Sequence, residues 1–343
     1  MVGSLSPDTP IDEVGLPLLQ AIDARRPLLE RLESEDTDCY RLFHGATEGC
    51  PGLAVDRYGS VLLVQSWGRP LAEGALPRIG DRVCSALGLD LVTVWNHRGG
   101  GHTPFERLQP APDLSDAVGR EAGLLYSVDP RHGGRDPLLF LDFRSARARV
   151  RSESAGRSVL NLFAYTCGVG VAALAGGASE LWNVDFSAGA LELGGQNLAR
   201  NGFGAERFRQ VQEEAVVVTR QLAGLPVKGR GARRRRFQRF SQRAFDLVVL
   251  DPPAWATGPF GAVDLVRDYP GVFKPALLAT RPGGRMLVTN NVASVDLEDW
   301  LEILHRAARK AGRPIADLEL LEPESDFPSP DGRFPLKMAL LQV

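Results

Sequence analysis

The chain has little cysteine and histidine, and neither residue type has the spacing of a disulfide framework or a metal site. Four cysteines occur among 343 residues, at Cys39, Cys50, Cys84 and Cys167, without paired spacing. They are therefore expected to be free thiols of a protein in a reducing cytoplasm. The five histidines are scattered without ligand spacing, so no metal site is expected.

The sequence also lacks signals for export and for membrane insertion. Its first basic residue is Arg25, so the acidic N-terminal stretch has no resemblance to a signal or transit peptide. The uncharged stretch 158–179 is long enough to span a bilayer, but it contains Asn161, Thr166 and four glycines. We therefore expect a buried strand, turn and helix there, in a cytoplasmic protein.

Acidic residues are missing from one segment, 228–243, which carries eight lysines and arginines. The formal net charge is −2, so without those eight positive charges the rest of the chain is at −10. Such a block is either a solvated loop or an arm that contacts phosphates. Within it, only Phe237 and Phe240 could stack on bases, and both interpretations stay open.

The pattern of apolar residues and turns predicts two domains after a short helical segment at 1–36. Short apolar runs between glycine and proline turns, with a helix at 75–87, predict a small α+β domain over 37–115. From Val159 onward strands and helices alternate, which predicts a doubly wound, mainly parallel, Rossmann-like α/β sheet within 116–343. The predicted strands of this sheet are 159–163, 180–184, 208–212, 246–250 and 285–289. They alternate with predicted helices at 168–175, 187–200, 214–223, 263–279 and 297–311. Before the first of these strands we predict a lead-in hairpin at 121–129 and a strand at 138–142.

Two glycines, Gly168 and Gly170, lie in the turn after predicted strand 159–163, where glycine lets a ligand approach the backbone. With Ala173 they also fit a dinucleotide fingerprint. The next strand ends at Asp185, an acid placed to accept hydrogen bonds from ribose hydroxyls. This half of the sheet indicates an adenosine-containing cofactor without choosing among such cofactors.

The motif Asp251-Pro252-Pro253 directly follows the apolar run 247–250, a predicted buried parallel strand. Open α/β sheets bind ligands at the carboxyl ends of their strands, and two prolines make the backbone there rigid. Trp255, two residues further, could stack on a flat base, worth about 1–3 kcal/mol, or could pack in the core. The motif favours a methyltransferase that acts on a base over a dehydrogenase.

Acidic side chains at the ends of these strands suit the sulfonium cation of S-adenosylmethionine. Methyl transfer from that cofactor is an in-line attack, so positioning supplies most of the catalysis. The acids concerned are Asp185, Glu213 and Asp251.

Several stretches resemble the bacterial 23S ribosomal RNA large-subunit methyltransferases that place a small EEHD-type domain before a class I methyltransferase domain. The resemblance covers the chain from about Tyr40 to Val343. It implies S-adenosylmethionine as cofactor and 23S ribosomal RNA, or a large-subunit precursor, as partner. The matching stretches are 40–45, 51–59, 140–144, 159–166, 251–253 and 335–337.

The resemblance also implies roles for individual residues. Asp185 would hold the ribose, Glu213 would lie near the adenine, and Asp142 with Arg144 would close the site from the lead-in strand. The residues expected to wrap the cofactor are Phe163, Tyr165, Gly168 and Gly170.

Many members of that family carry an RNA-binding PUA domain first, whereas here only a short helical segment is expected before the small domain. RNA contacts must then lie elsewhere, and the basic segment is a candidate replacement. Its central residues are Arg233, Arg234, Arg235 and Arg236. The sequence does not fix the oligomeric state.

Relatives that form 5-methylcytosine use a cysteine, because cytosine C5 becomes nucleophilic only after a thiolate adds to C6. No cysteine follows the strands that end at Asp251 and at Asn290-Asn291, and Cys167 is expected to be a packing residue. Guanine N7 and exocyclic amines need no such adduct, and Asn290-Asn291 resembles relatives that form 7-methylguanine. The two amides could bind a guanine edge or could serve turn and capping chemistry.

Three other functions remain open at this point. The glycine turn alone also fits a nicotinamide-dependent reductase. If no PUA domain precedes the small domain, as expected, a small-molecule methyltransferase is also compatible with the sequence. A non-catalytic RNA-binding or ribosome-assembly factor on the same fold is the third.

Overall fold

The structure is a computed structural model that describes residues 14–98, 114, 116–130, 136–227, 236–258, 261–264, 266 and 268–343. The chain divides into two compact units. The first contains Met1–Asp142 and Glu324–Gly332, and the second contains Phe143–Pro323 and Arg333–Val343. The division at 142/143 therefore differs from the predicted boundaries at 36/37 and 115/116.

The first unit is built around a four-stranded sheet in the order β1-β2-β3-β4. Its neighbouring strands are antiparallel except for β3 and β4, which are parallel. The elements are α1 (Gly15–Ala24), α2 (Arg26–Ser34), β1 (Cys39–His44), β2 (Leu53–Tyr58), β3 (Val61–Trp67), α3 (Ala75–Leu87), β4 (Val92–Arg98), β5 (Val118–Glu121) and β6 (Leu124–Ser127).

The first two helices belong to the core of this unit, which explains why no boundary falls at residue 36. Leu18, Ile22 and Leu32 are fully buried and share one apolar cluster with side chains of β1, β2 and β3. The predicted helical segment thus consists of two helices, and Pro27 lies in the first turn of α2, where proline is well tolerated.

The second unit contains a seven-stranded sheet in the order β14-β15-β13-β10-β7-β8-β9. In this sheet β15 runs antiparallel to the other six strands, so the predicted mainly parallel α/β fold is confirmed. The elements are α4 (Arg144–Glu153), β7 (Ser158–Leu162), α5 (Gly168–Ala175), β8 (Glu180–Asp185), α6 (Ala188–Arg200), β9 (Phe208–Gln212), α7 (Ala215–Leu222), β10 (Phe245–Leu250), β11 (Trp255–Gly258), β12 (Gly261–Asp264), α8 (Tyr269–Leu278), β13 (Thr280–Asn290), α9 (Leu297–Lys310), β14 (Asp317–Leu321) and β15 (Lys337–Gln342).

The strand order places a topological switch point between β7 and β10. From β7 the chain proceeds to β8 and β9 on one side, and it then returns to β10 and β13 on the other. Ligands of open α/β sheets bind beyond the carboxyl ends of the strands at such a point. The glycine turn after β7 and the Pro-Pro motif after β10 both lie there.

Two predicted elements are wrong. Residues 138–142 form no strand, because a short 3-10 turn over Leu141–Phe143 leads directly into α4. Helix 263–279 begins only at Tyr269, where the Asp268 side chain accepts a hydrogen bond from the Gly271 N–H and so caps the helix. Residues before it form the antiparallel pair β11 and β12.

The uncharged stretch 158–179 is the predicted strand, turn and helix, formed by β7 and α5. Within the ranges that the structure describes, no helix has the length and apolar character needed to cross a membrane.

Candidate active site at the carboxyl ends of the strands

The turn between β7 and α5 has an unusual backbone. Phe163, Tyr165 and Cys167 have φ angles of 58°, 47° and 59°, in the left-handed region that non-glycine residues rarely adopt. Each such residue costs about 1–3 kcal/mol, and strain of this kind concentrates at functional sites. The turn is therefore held in its conformation by contacts with the rest of the unit.

Asp185, at the end of β8, supplies the main support for this turn. Its carboxylate accepts hydrogen bonds from the N–H groups of Tyr165 and Ser187, both at 2.9 Å. Burial raises the pKa of the Asp185 carboxyl above its ordinary value, and these hydrogen bonds limit the rise. The predicted ribose-binding acid therefore lies beside the glycine turn and also fixes its shape.

Gly170 is required by the packing of α5 on β8. A Cβ atom at this position would lie 2.5 Å from Oδ1 of Asn183, a fully buried residue of β8. The same oxygen accepts a hydrogen bond from Asn161 Nδ2 at 2.9 Å, so Asn183 is held in place. The glycine lets the start of α5 approach the sheet, as the third glycine of a dinucleotide fingerprint does.

Glu213 follows β9 and lies next to Asp185, because its N–H donates to the Asp185 carbonyl at 3.0 Å. Its carboxylate accepts hydrogen bonds from the N–H groups of Glu214 and Gln238, both at 3.0 Å. Phe186 directly follows Asp185 and is 64 % exposed. We did not predict a role for Phe186 from the sequence, although an aromatic residue directly after the acid at a strand end is a visible signal.

On the other side of the switch point, Asp251 follows β10. Its carboxylate accepts a hydrogen bond from the Thr289 hydroxyl on the neighbouring strand β13. Pro252 is buried and Pro253 is half-buried. Trp255 is 64 % exposed, so it does not pack in the core and its ring is open to a partner.

Asn290 and Asn291, at the end of β13, differ sharply in exposure. Asn290 is fully buried, and its Oδ1 accepts a hydrogen bond from the Val292 N–H at 2.9 Å. This is the turn chemistry that the sequence left open, so Asn290 does not present its amide at the surface for direct contact with a base. Its Nδ2 is buried and has no hydrogen-bond partner within the described residues. Asn291 is exposed.

Lys337 of β15 pairs with Asn290 in the sheet register and holds the same turn. Its ammonium donates to the carbonyl oxygens of Val292, at 2.9 Å, and Pro335, at 3.1 Å. Burial lowers the pKa of Lys337. The resemblance drew attention to the stretch 335–337, and the structure shows how its lysine supports the end of β13.

Cys167 is a packing residue, as expected. It is fully buried in a small cluster with Ala164 and Leu191. Burial, together with the nearby Asp185 carboxylate, raises the pKa of its thiol far above the ordinary range. Across the described ranges, no group of three His, Cys, Asp or Glu side chains is arranged to hold a metal ion.

Not every predicted site residue lies on the element predicted for it. Asp142 is part of the 3-10 turn Leu141–Phe143 in the first unit, and Arg144 is a buried residue of α4 in the second, so neither lies on a lead-in strand. Arg236 is exposed. Arg233, Arg234 and Arg235 lie outside the described residues.

The family model for S-adenosylmethionine-dependent methyltransferases matches residues 40–342, which span both units. The chain belongs to this family. S-adenosylmethionine is therefore its cofactor, the chain is an enzyme, and the reductase alternative is excluded. The residues present fit that cofactor, because Asp185 and Glu213 offer acceptors and Asp251 offers a negative charge at one edge of the sheet.

Curated relatives confirm the resemblance seen in the motifs. The ribosomal RNA large subunit methyltransferase I of Aeromonas salmonicida is 30 % identical over 325 residues, 91 % of this chain and 74 % of the relative. The ribosomal RNA large subunit methyltransferase of Deinococcus radiodurans is 32 % identical over 289 residues. That match covers 81 % of this chain and 65 % of the relative, so the chain spans less than two thirds of its length.

Solved structures share the fold. A crystal structure of a methyltransferase complexed with SAH has a TM-score of 0.77 at 21 % identity, covering 98 % of this chain and 83 % of the other. The S-adenosylmethionine-dependent methyltransferase from Agrobacterium tumefaciens has a TM-score of 0.61 at 17 % identity, with 90 % of each chain covered.

Proposed function

We propose that this methyltransferase modifies a base of 23S ribosomal RNA in the cytoplasm, free or within a large-subunit precursor. We further propose that the base is guanine, methylated at N7 or at the exocyclic amine without a covalent cysteine adduct. The names of the relatives from Aeromonas salmonicida and Deinococcus radiodurans support ribosomal RNA as substrate. One observation, the absence of a thiol at the carboxyl ends of β10 and β13, supports a mechanism without a covalent adduct. Guanine is chosen because Asn290-Asn291 resembles relatives that form 7-methylguanine.

Cytosine C5 needs a thiolate to become nucleophilic, whereas guanine N7 and the exocyclic amine already carry lone pairs. The residues at the two strand ends are Asp251-Pro252-Pro253 and Asn290-Asn291. The thiol of Cys167, on the cofactor side, is fully buried and has a strongly raised pKa. It therefore has neither the access nor the ionisation of a nucleophile.

A flipped base fits the exposed side chains of this edge. Trp255 offers an open ring for stacking, worth about 1–3 kcal/mol. Asn291 offers an exposed amide that can hydrogen-bond a guanine edge. Asn290 acts as a positioning residue, since it holds the turn that carries Asn291. Its orphaned Nδ2 costs about 1–3 kcal/mol unless an acceptor reaches it.

When bound, S-adenosylmethionine supplies an electrophilic methyl group, and the residues of the chain supply its orientation. Asp185 and Glu213 accept hydrogen bonds from the ribose and adenine side. Asp251, held by Thr289, places its charge beside the reacting edge, and Pro252 and Pro253 keep that backbone rigid. The further cofactor contacts that we propose are Asp142, Arg144, Phe163, Tyr165, Gly168 and Gly170.

The basic segment serves in this proposal as an RNA-binding arm. Its substrate contacts would be Arg233, Arg234, Arg235 and Arg236, which can each pair with phosphate.

The test is transfer of labelled methyl from S-adenosylmethionine by the purified chain. Protein-free 23S RNA, 16S RNA, a large-subunit precursor and a small-molecule extract are offered in parallel. Label in 23S RNA or in the precursor, with none in 16S RNA, supports the proposal. Label only in the small-molecule extract assigns the alternative function, and SAH binding without transfer to any of the four substrates contradicts the proposal.

A further inference from the structure

The described part of the basic segment, 236–243, is docked along the edge strand β9. Its Gln238 N–H donates to the Glu213 carboxylate, and its Gln238 Nε2 donates to the Gln212 carbonyl at 3.1 Å. Gln221 of α7 also holds it, because Gln221 Nε2 donates to the Gln238 carbonyl at 2.9 Å. One end of this segment is thus fixed at the carboxyl end of β9.

The other end is fixed beside the start of β8. The Phe240 ring packs against the core of the unit, 5.8 Å from the Trp182 ring. Arg243 forms an ion pair with Glu180, and its guanidinium carbon lies 4.7 Å from the Phe245 ring centroid. Phe240 is therefore an anchor and not the base-stacking side chain that the sequence suggested as an option.

Two exposed arginines place their guanidinium groups over aromatic rings of this region. The guanidinium carbon of Arg209, on β9, lies 4.4 Å from the Trp182 ring centroid and 5.2 Å from that of Phe240. That of Arg239 lies 4.4 Å from the Phe237 ring centroid. Neither arginine forms an ion pair with any carboxylate of the described residues. A cation–π contact restrains each guanidinium without using its N–H groups, which can then form bidentate hydrogen bonds with a phosphate.

We propose that Arg209 and Arg239 form an RNA phosphate-binding platform, to which Arg236 adds charge. This inference rests on the proposed function, since it takes RNA as the polyanion. A folded groove of cations and aromatic rings is the common way to bind single-stranded nucleic acid without reading its sequence. Arg209 lies outside the basic segment in the sequence, so the platform exists only in the folded protein.

The position of the platform suits delivery of RNA to the active site. It lies on the same unit as the glycine turn, and its Gln238 end contacts Glu213, which in turn contacts Asp185. An RNA strand held on Arg209 and Arg239 therefore runs towards the carboxyl ends of β9 and β8.

The test is the affinity of a labelled single-stranded RNA oligonucleotide at several salt concentrations, with Arg209→Gln and Arg239→Gln in the full chain. Each lost phosphate contact should reduce the log–log salt slope by about 0.7. Arg306→Gln is the matched control. Arg306 is an exposed arginine of α9 in the same unit, so the variant loses the same charge elsewhere. Arg209→Lys keeps the charge but loses the bidentate guanidinium, so it should weaken RNA binding with little change in slope.

The platform is supported if the salt slope is reduced in Arg209→Gln and Arg239→Gln but keeps its wild-type value in Arg306→Gln. Equal slopes for all three variants overturn it. SAH binding by calorimetry checks that each variant is folded, and Arg239→Gln, at an exposed side chain, keeps the test valid if Arg209→Gln fails to fold. If the wild-type chain binds and methylates RNA but the variants keep its salt slope, only the platform is refuted. If the wild-type chain binds SAH but does not bind RNA, the proposed function is refuted as well.

Discussion

Glu213 and Gln238 join the cofactor side of the sheet to the basic segment. The Gln238 N–H donates to the Glu213 carboxylate at 3.0 Å, across 25 residues of sequence. The same residue, Glu213, donates its own N–H to the Asp185 carbonyl. An acid expected near the adenine therefore also determines where the basic segment docks.

Glu213→Ala should release residues 236–243 from β9. A hydrogen bond to a charged acceptor is worth about 1.5–3 kcal/mol, and its loss should let trypsin cleave after Arg239 and Arg243 faster than in the wild type. Glu213→Gln keeps an acceptor oxygen and should show a smaller increase. Equal cleavage rates in all three proteins would mean that Glu213 does not hold the segment.

Asp185→Ala should weaken SAH binding about 10- to 150-fold, the equivalent of about 1.5–3 kcal/mol. It removes an acceptor for the ribose and also the support of the strained turn at Tyr165. Asp185→Asn keeps one acceptor and should bind more tightly than Asp185→Ala. Isothermal titration calorimetry measures both, and wild-type affinity in Asp185→Ala would remove this residue from the site.

The affinity for SAH should also depend on pH through Asp185. Burial raises the pKa of its carboxyl, so on acidification it gains a proton at a higher pH than an ordinary aspartate does. The protonated form is a weaker acceptor, so SAH affinity should fall as the pH is lowered through that raised value. Asp185→Asn should lack this fall. The same fall in Asp185→Asn would assign it to another group.

Substitutions of Asn290 and Asn291 should have different effects on the kinetics of RNA methylation. Asn291→Ala should raise KM or lower kcat for RNA and leave SAH affinity unchanged, because it removes an exposed amide. Asn290→Ala removes the hydrogen bond to the Val292 N–H and should also lower the thermal unfolding temperature. If Asn291→Ala methylates RNA as the wild type does, Asn291 makes no contact with the base.

Much of the fold follows from local patterns. The bounds predicted for α3 and α5 agree with the structure because glycine follows each helix, at Gly88 and Gly176. The true start of α8 also had a local signal, since Asp268 and Pro270 are typical of a helix N-terminus. The error there came from overlooking that signal.

Other features depend on contacts between distant parts of the sequence and could not be predicted locally. Residues 324–332 join the first unit, where the Asp326 carboxylate accepts a hydrogen bond from the Arg41 N–H at 3.0 Å. The exposure of Trp255 depends on the β11–β12 pair, and the burial of Asn290 depends on the strands around β13. The residue types at the candidate site were visible in the sequence, but their accessibility was not.

Replacing each cysteine singly by alanine should leave methyl transfer intact. Cys167→Ala should lower stability by about 1–2 kcal/mol, because it removes a buried packing group, while the folded variant remains active. Scintillation counting of methyl transfer, alongside thermal unfolding, checks this. Complete loss of transfer in a variant that still binds SAH would revive a covalent cytosine mechanism.

The most direct test of the proposed chemistry is mass spectrometry of nucleosides from 23S RNA after methylation by the purified chain. The proposal predicts a single new product, 7-methylguanosine or guanosine methylated on its exocyclic amine, and the same product from the Cys167→Ala variant. New 5-methylcytidine as the product would contradict it.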